Sequence, residues 1–314
     1  MLQRWHSLLT GLCFLLASLG LQAQVRVVVV SSDSGAAYVD TTQSLLKVLE
    51  TEGLTRYVVK QIRVAELTEQ LAQEQLANAG LFVALGADAS MALARFDSKV
   101  PVLSTLLPRA SFMRILAQSG RRVSPQFSAL YLDQPLARQL ALLRLVLPYA
   151  QRLCVLWGPD SVQKAPAMRQ LTGQLGWNLQ EAQISTDGQI YSALKQVLAE
   201  SDVFLALADP LVFNPGSLQN IMLSSFRAKV PIVAFSPAYV RAGALLSLHT
   251  SASQTGTQAG RLVRDWLSGA ALPSQAVEPA EFEISINQHV ARSFNLALDE
   301  KVLQQALRRL ERLP

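Results

Sequence analysis

The chain has 314 residues, which is enough for two lobes of ordinary domain size and too many for one small core. Hydrophobic residues make up 50% of it and charged residues 16%, a composition typical of a globular α/β protein and one that argues against disorder. The formal net charge is +5, and because the basic residues are scattered along the chain, they predict no nucleic-acid-binding surface.

The first residues, 1–23, have the pattern of a secretory signal peptide. Arg4 provides the positive start, an apolar segment follows over residues 8–21, and Ala23 precedes the expected cleavage site. We therefore expect export with cleavage, and a periplasmic location for the mature chain.

Two alternatives to a cleaved signal peptide are open. An uncleaved membrane anchor is disfavoured because the apolar run is shorter than the ~20 residues of a spanning helix and is interrupted by small residues. A lipid attached to Cys13 is disfavoured because Leu12 stands where a lipid-attachment site has a small residue.

Strand-like and helix-like segments alternate along the first half, as in a parallel sheet with crossover helices. Helical faces are predicted around Leu45–Leu49 and Leu67–Ala72. The first predicted strand is a continuous β-branched run, typical of a strand buried on both faces of a sheet. The strands predicted in this half are Val25–Val30, Tyr57–Val59, Leu81–Leu85 and Val100–Leu103.

The same alternation returns after residue 133. Helical stripes are predicted within residues 136–147, 162–175, 190–198, 218–226, 262–267 and 302–310. Strands are predicted at Leu153–Trp157, Val203–Ala208, Pro231–Phe235, Ala244–Leu248 and Phe282–Ile286. The sequence therefore predicts an α/β protein with two Rossmann-like lobes, each with a parallel sheet, joined by a hinge of several segments.

The lobes are predicted to share the chain discontinuously. Lobe I takes residues 24–132 and 250–272, and lobe II takes residues 133–249 and 273–314. The hinge comprises Asp133, Gln134 and Pro135, together with return crossings around residues 250 and 272. So short a link keeps the lobes close together and leaves a cleft between them.

Motifs for catalysis, metal binding or nucleotide binding are missing from the sequence. After cleavage the chain keeps two widely spaced histidines and Cys154, which is no ligand set of the zinc type. Gly86-Ala87-Asp88 lacks the further glycines of a dinucleotide-binding loop, and no serine lies in a nucleophile elbow. We expect no catalytic residue, no metal and no cofactor. Cys154 lies in an apolar run and is expected to be a buried, inert thiol.

Candidate solute-binding residues come from the ends of the predicted strands, because ligands of open parallel sheets bind beyond the carboxyl ends. Hydroxyl groups and helix N-termini there suit a carboxylate, Asp33 or Asp209 suits an amine, and Trp157 or Phe235 can stack on an apolar group. The candidates are Ser31, Ser32, Asp33, Gly86, Asp88, Ser104, Thr105, Trp157, Asp209, Phe235 and Ser236.

Each candidate also has a purely structural interpretation. Serines and aspartates after strands are common helix caps and turn residues. Asp209-Pro210 is compatible with a simple turn, and Trp157 with a place in the core or between the lobes. The prediction of a solute site therefore rests on the whole set of residues.

The second half also resembles a known family. Most of residues 130–310 is similar to the ABC-transporter substrate-binding family related to tryptophan- and tyrosine-binding periplasmic proteins. The similarity lies in Leu147-Pro148 with strand Arg152–Leu156, Ser201–Asp209, Ala228–Val233, Arg241–Ala244, the glycines Gly256, Gly260 and Gly269, and Ile286-Asn287 with Ala291.

The resemblance implies the type I periplasmic binding fold and delivery of a small solute to an inner-membrane ABC permease. It also implies that Asp209 and the loop Ser31–Asp33 contact the solute. Two alternatives stay open, because fold does not fix function. One is a periplasmic ligand sensor or partner-binding regulator that acts on a receptor or kinase, and the other is an unrecognised enzyme.

Overall fold

The structure is a computed structural model, and it describes residues 25–51, 57–67, 78–96 and 99–311. The predicted signal peptide lies outside these residues, as does most of the helix predicted around Leu67–Ala72. Within them, the chain forms two sheets flanked by helices. The predicted fold class is confirmed: the protein has two α/β lobes, and their sheets are mainly parallel.

The first lobe contains a five-stranded parallel sheet in the order β2-β1-β3-β4-β5. Residues Val27–Val30 of its first strand, which pairs with a strand on each side, are buried on both faces, as the β-branched run predicted. The strands are β1 (Val25–Ser31), β2 (Tyr57–Arg63), β3 (Leu81–Leu85), β4 (Val102–Leu107) and β5 (Phe127–Tyr131).

Helices cover both faces of this sheet. One face packs against α1 (Ala36–Thr51), and the other against α2 (Ala87–Arg95) and α3 (Arg109–Ser119). The second strand pairs on one side of β1, whereas the third, fourth and fifth follow one another on its other side. A topological switch point therefore lies between β1 and β3, and in such sheets it opens a crevice at the carboxyl ends of the strands.

The second lobe contains a six-stranded sheet in the order β11-β10-β9-β8-β6-β7. Its last strand is antiparallel to β10, so the sheet is not wholly parallel. The strands are β6 (Arg152–Trp157), β7 (Asn178–Gln183), β8 (Val203–Leu205), β9 (Ile232–Ala234), β10 (Leu246–His249) and β11 (Glu283–Ile286).

Further helices close the core of the second lobe and cross back to the first. The helices in chain order are α4 (Leu136–Val146), α5 (Ala165–Gln174), α6 (Ile190–Leu198), α7 (Pro215–Arg227), α8 (Pro237–Ala242), α9 (Ala252–Leu267), α10 (Gln288–Ser293) and α11 (Glu300–Leu310). One face of the sheet packs against α4, α5 and α11, and the other against α6 and α7.

Two strands, β5 and β7, were not predicted from the sequence. β7 reads NLQEAQ and lacks an apolar run, because it is the edge strand of its sheet and is only partly buried. β5 is short, and its neighbour β4 shifts register between Ser104 and Leu107, where Leu106 has φ 57°. Pairing with a neighbouring strand, rather than local sequence, places both segments in the sheets.

The described chain passes between the lobes at residues 132–135, near residue 250, and again beyond Val277. The sequence placed the last crossing around residue 272. However, Val277 forms a bridge with Leu130, accepts a hydrogen bond from Tyr131 N at 2.9 Å and donates one to Ala129 O at 2.7 Å. Residues 273–277 therefore run beside β5, and the last crossing follows them.

Helix α9 follows the second crossing and packs closely on α1 of the first lobe. Its glycines make this contact possible: a Cβ atom at Gly256 would lie 2.1 Å from the carbonyl oxygen of Thr41. A Cβ atom at Gly260 would lie 2.9 Å from the Cβ of Val48. The glycines on which the family resemblance partly rests thus allow two helix backbones to approach each other.

We expect the thiol of Cys154 to be unreactive in the folded protein. The residue is fully buried in β6, and burial raises the pKa of its thiol to about 12. Because the thiolate is the reactive form, a thiol reagent at mildly alkaline pH should label the protein only after denaturation. The measurement uses the Cys13→Ser variant, in which Cys154 is the only thiol. Labelling of the native protein at the rate of a free thiol would contradict the buried position.

Candidate ligand-binding cleft

A cavity of about 260 Å³ lies where the two lobes meet, next to the segments that join them. The first lobe contributes Pro108 and Leu132, the residues that follow β4 and β5. The second lobe contributes residues after β8 and β9 and at the end of β10, at the edge of the sheet where ligands bind in this class of fold. These residues are Leu207, Ala208, Phe235, Ser236, Pro237, Leu248, His249 and Thr250.

Gln134 ties the crossing segments together at the base of the cavity. Its side-chain amide donates to Thr250 Oγ1 at 2.6 Å and to the carbonyl oxygen of Glu281 at 3.3 Å. Its side-chain oxygen accepts a hydrogen bond from Arg138 at 2.7 Å. One buried side chain thus connects segments from each passage of the chain between the lobes, as expected of a hinge residue.

Asp133 links the first lobe to Lys164 of the second. One carboxylate oxygen accepts a hydrogen bond from the backbone N–H of Arg109, at the start of α3, at 2.6 Å. The other oxygen forms an ion pair with the ammonium group of Lys164. Only 14% of the Lys164 side chain and 9% of the Asp133 side chain are exposed, so this pair lies within the cavity wall.

Phe235 forms part of another wall of the cavity, and two further rings pack behind it. The ring of Phe235 lies 4.7 Å from the ring of Tyr239 and 5.8 Å from that of Phe213, measured between centroids. Ser236 follows and caps α8, because its hydroxyl oxygen accepts a hydrogen bond from the N–H of Ala238 at 3.3 Å. The cavity therefore offers an apolar ring surface next to a hydroxyl group.

His249 lies at the end of β10, where the chain leaves the second lobe. Its Nδ1 lies 3.2 Å from the hydroxyl of Ser247, and its Nε2 lies 3.9 Å from the carboxylate of Glu283. Burial lowers the pKa of His249, although the charge of Glu283 partly opposes this. The imidazole is therefore neutral at neutral pH and gives the cavity a polar group without a charge.

In the first lobe, two of the predicted residues line a separate depression. Ser31 and Asp33 border a space of about 430 Å³ at the ends of β1 and β2, together with Tyr38 and Arg63. Ser32 lies beside it and is held within the lobe: its hydroxyl donates to Leu85 O at 2.8 Å and accepts from the N–H of Ala89 at 2.9 Å.

Gly86 and Asp88 stand at the switch point, where α2 begins. Gly86 has φ 86°, and a Cβ atom there would lie 2.7 Å from the hydroxyl of Ser32, so the position requires glycine. Asp88 is exposed in the first turn of α2. Burial and the charges of Asp33 and Asp88 raise the pKa of Tyr38.

Ser104 and Thr105 are fully buried near the end of β4. Among the described residues, neither hydroxyl has a hydrogen-bond partner. Neither residue lines the inter-lobe cavity.

Trp157 and Asp209 likewise do not line the cavity. Trp157 is 1% exposed in the core of the second lobe, and its indole N–H donates to Glu181 at 2.7 Å. The Asp209 carboxylate accepts hydrogen bonds from the N–H of Asp160, from the N–H and hydroxyl of Ser161, and from the N–H of Leu211, at 2.8 to 3.0 Å. Asp209 thus holds the loop that follows β6, which is the structural interpretation the sequence left open.

The structure therefore brings Phe235 and Ser236 together with Asp133 and Gln134 of the predicted hinge, and leaves the other candidates elsewhere. Sequence reasoning missed Lys164, His249 and Thr250. The rule of strand ends could have found His249, the last residue of β10, and Thr250, which follows it. Lys164 lies in the helical turn Val162–Lys164, beyond the loop after β6, where that rule does not reach.

No group of three or more His, Cys, Asp or Glu side chains in the described residues could hold a metal ion. Nor is any helix in this part of the chain both long and apolar enough to cross a membrane.

Comparison with known proteins gives consistent results. The model of the family described as ABC transporter substrate binding protein matches residues 25–309. A tyrosine-binding protein of Clostridioides difficile is 22% identical over 223 residues, which are 69% of this chain and 63% of that relative. The chain thus spans less than two thirds of the length of this curated relative.

Two solved structures share the fold. The ligand-free, open structure of a substrate binding protein with adhesive properties from Clostridium difficile has a TM-score of 0.70 at 16% identity, covering 88% of this chain and 96% of that one. An ABC domain from Streptococcus pneumoniae in complex with L-Trp has a TM-score of 0.58 at 15% identity, covering 90% and 98%.

The family match spans nearly all of the described chain, and the two-lobed fold with a cavity at its crossing segments agrees with it. The resemblance inferred from the second half is thereby confirmed, and with it the expectation of a binding protein instead of an enzyme. The chain belongs to the ABC transporter substrate binding protein family.

Proposed function

We propose that this protein is the solute-binding component of an ABC-type uptake system and that it works in the periplasm. It binds a small polar or amino-acid-like solute between its lobes and delivers it to an inner-membrane permease. The family supports the transport role, and residues 1–23 support export. Two relatives, one named a tyrosine-binding protein and one solved with L-Trp, support a solute of amino-acid size.

The observation that carries this proposal is the position of the cavity. It lies between the lobes, beside the crossing segments, and combines the ring of Phe235 with polar groups from Lys164, His249 and Thr250. Small-molecule sites in proteins have this character: they are concave, mostly apolar and fitted with a few convergent polar groups.

The mechanism is hinge closure. A solute in the cavity contacts Pro108 and Leu132 of the first lobe and Phe235 of the second, so it makes more contacts when the lobes are closed. The difference in affinity between the two states shifts the population toward the closed form. The bends occur in the segments near Gln134 and Thr250, and the permease recognises the closed form.

We expect a thermal-shift screen of the purified protein to find a stabilising solute. The panel contains amino acids, peptides, nucleosides, sugars and organic acids. At 100 times its dissociation constant, a ligand adds about 2.7 kcal/mol to the free energy of unfolding, which raises the melting temperature by several degrees. A panel without any stabilising member would contradict the proposal and favour a partner-binding regulator of the same fold.

The position of the solute can be tested with two matched variants. Phe235→Leu keeps an apolar side chain but removes the ring, and we expect it to weaken binding of the solute found by about three- to tenfold, the value of one ring contact. Phe226→Leu is the control, because Phe226 is 58% exposed on α7, in the same lobe. Equal affinities in the two variants would place the solute elsewhere.

A further inference from the structure

The polar groups around the cavity have unused hydrogen-bond donors. Within the described residues, Lys164 has Asp133 as its hydrogen-bond partner, which leaves two ammonium protons for a ligand. Thr250 accepts a hydrogen bond from Gln134, and Ser236 accepts one from Ala238, so each hydroxyl proton is also available. Such a set of donors suits a ligand group that only accepts hydrogen bonds.

The carboxylate of Asp133 and the side-chain oxygen of Gln134, at the same site, are already engaged. Both carboxylate oxygens of Asp133 have donors, one from Arg109 and one from Lys164. The side-chain oxygen of Gln134 accepts from Arg138. Asp133 is the one carboxylate among the described residues that line the cavity, so a ligand ammonium group would find no free anion there.

Three carboxylates of the neighbouring loops, Asp209, Asp160 and Asp33, are also engaged or lie elsewhere. Asp209 accepts hydrogen bonds from the loop after β6 and from Leu211. Asp160 pairs with Arg114 of the first lobe, with 3.4 Å between nitrogen and oxygen. Asp33 accepts from the N–H of Ser34 at 2.6 Å and borders the separate depression of the first lobe.

We propose that the solute is a small carboxylic acid without an amino group, and that Lys164 binds its carboxylate. This inference rests on the proposed function and narrows its solute class. The carboxylate pairs with the ammonium group of Lys164, which Asp133 holds in place, and also accepts from Thr250 or Ser236. The rest of the molecule packs on the ring of Phe235. An α-ammonium group would be buried without a partner, which disfavours the corresponding amino acid.

Matched ligands test this proposal by calorimetry on the full protein. One set is 3-(4-hydroxyphenyl)propionate, tyrosine and tyramine, and the other is 4-methylpentanoate, leucine and 3-methylbutylamine. Within each set the apolar part is shared, and only the carboxylate and the amine vary. We expect the acid of at least one set to bind at least tenfold more tightly than its amino acid, and the amines not to bind.

The outcomes separate this inference from the proposed function. Tighter binding of an amino acid than of its acid would overturn the inference and leave the proposed function standing. Binding of a neutral solute, with no binding of any compound of the two ligand sets, would likewise overturn the inference and leave the proposed function standing. Failure of every compound, including the broader panel, would overturn both.

Variants of Lys164 complete the test. Lys164→Met should weaken binding of the acid at least tenfold. Lys164→Arg keeps the cation and should therefore lose much less affinity for the acid. Lys195→Met is the matched control, because Lys195 is exposed on α6 of the same lobe. An acid affinity unchanged in Lys164→Met would overturn the role of Lys164. Should Lys164→Met fold poorly, a loss of acid affinity of tenfold or more in Lys164→Arg would overturn this role as well, because that variant keeps the cation.

Discussion

Replacement of Gly256 by alanine is expected to lower the free energy of unfolding by about 3 kcal/mol, the upper part of the range for overpacked sites. The new Cβ atom would lie 2.1 Å from the carbonyl oxygen of Thr41 and 2.9 Å from the Cβ of Ser44. Because the nearest atom belongs to the backbone of α1, a side-chain rotation cannot relieve the overlap. Denaturant unfolding of the variant and the parent protein measures the difference.

The matched control for this prediction is Gly173→Ala. Gly173 lies in α5, and nothing lies within 4 Å of the position a Cβ atom would take. Alanine is favoured over glycine within a helix by about 0.5–1 kcal/mol, so this variant should be slightly more stable. Equal effects of the two substitutions would mean that α1 and α9 do not approach as closely as described.

The second large effect is expected for Asp209→Ala, which should lower the free energy of unfolding by about 3 kcal/mol. The substitution removes the acceptor for the backbone N–H groups of Asp160, Ser161 and Leu211. A buried donor left without a partner costs about 1–3 kcal/mol. Asp209 and Ser161 are 3% and 1% exposed, so water replaces the lost carboxylate poorly.

Asp160→Ala is the control, since it changes a carboxylate in the same loop. The side chain of Asp160 pairs with Arg114, which is 52% exposed, and pairs of this kind contribute less than about 1 kcal/mol to the free energy of unfolding.

A different outcome for Asp209→Ala would restore the sequence-based prediction. If this variant kept its stability but lost solute binding, Asp209 would be a solute-binding residue.

Asp209 also affects the cavity indirectly. The loop that it holds leads into the short helical turn Val162–Lys164, which carries the lysine of the cavity wall. Gly158 belongs to the same arrangement, because a Cβ atom there would lie 2.4 Å from the Asp209 carboxylate. Loss of the carboxylate would therefore release the segment that positions Lys164 opposite Asp133.

The sequence by itself determined the α/β fold and its division into two lobes. Runs such as Val27–Val30 and Leu81–Leu85 are apolar throughout because a polar side chain on a strand buried on both faces costs free energy unless it is hydrogen-bonded. The amphipathic periodicity of segments such as 190–198 identified helices for a similar reason, since one face is buried and the other solvated. Even Phe235 and Ser236 could be found, as residues that follow a strand.

Only the tertiary structure decided which residues share the cavity. Lys164 and Asp133 are 31 positions apart and meet because the crossing segment lies beside the loop after β6. Asp209 and Ser31 also lie at or beyond strand ends, but Asp209 is engaged by hydrogen bonds from a neighbouring loop. Ser31 borders the separate depression at the ends of β1 and β2. Local sequence identifies where a strand ends, whereas long-range packing determines which strand ends face each other and which polar groups remain free for a ligand.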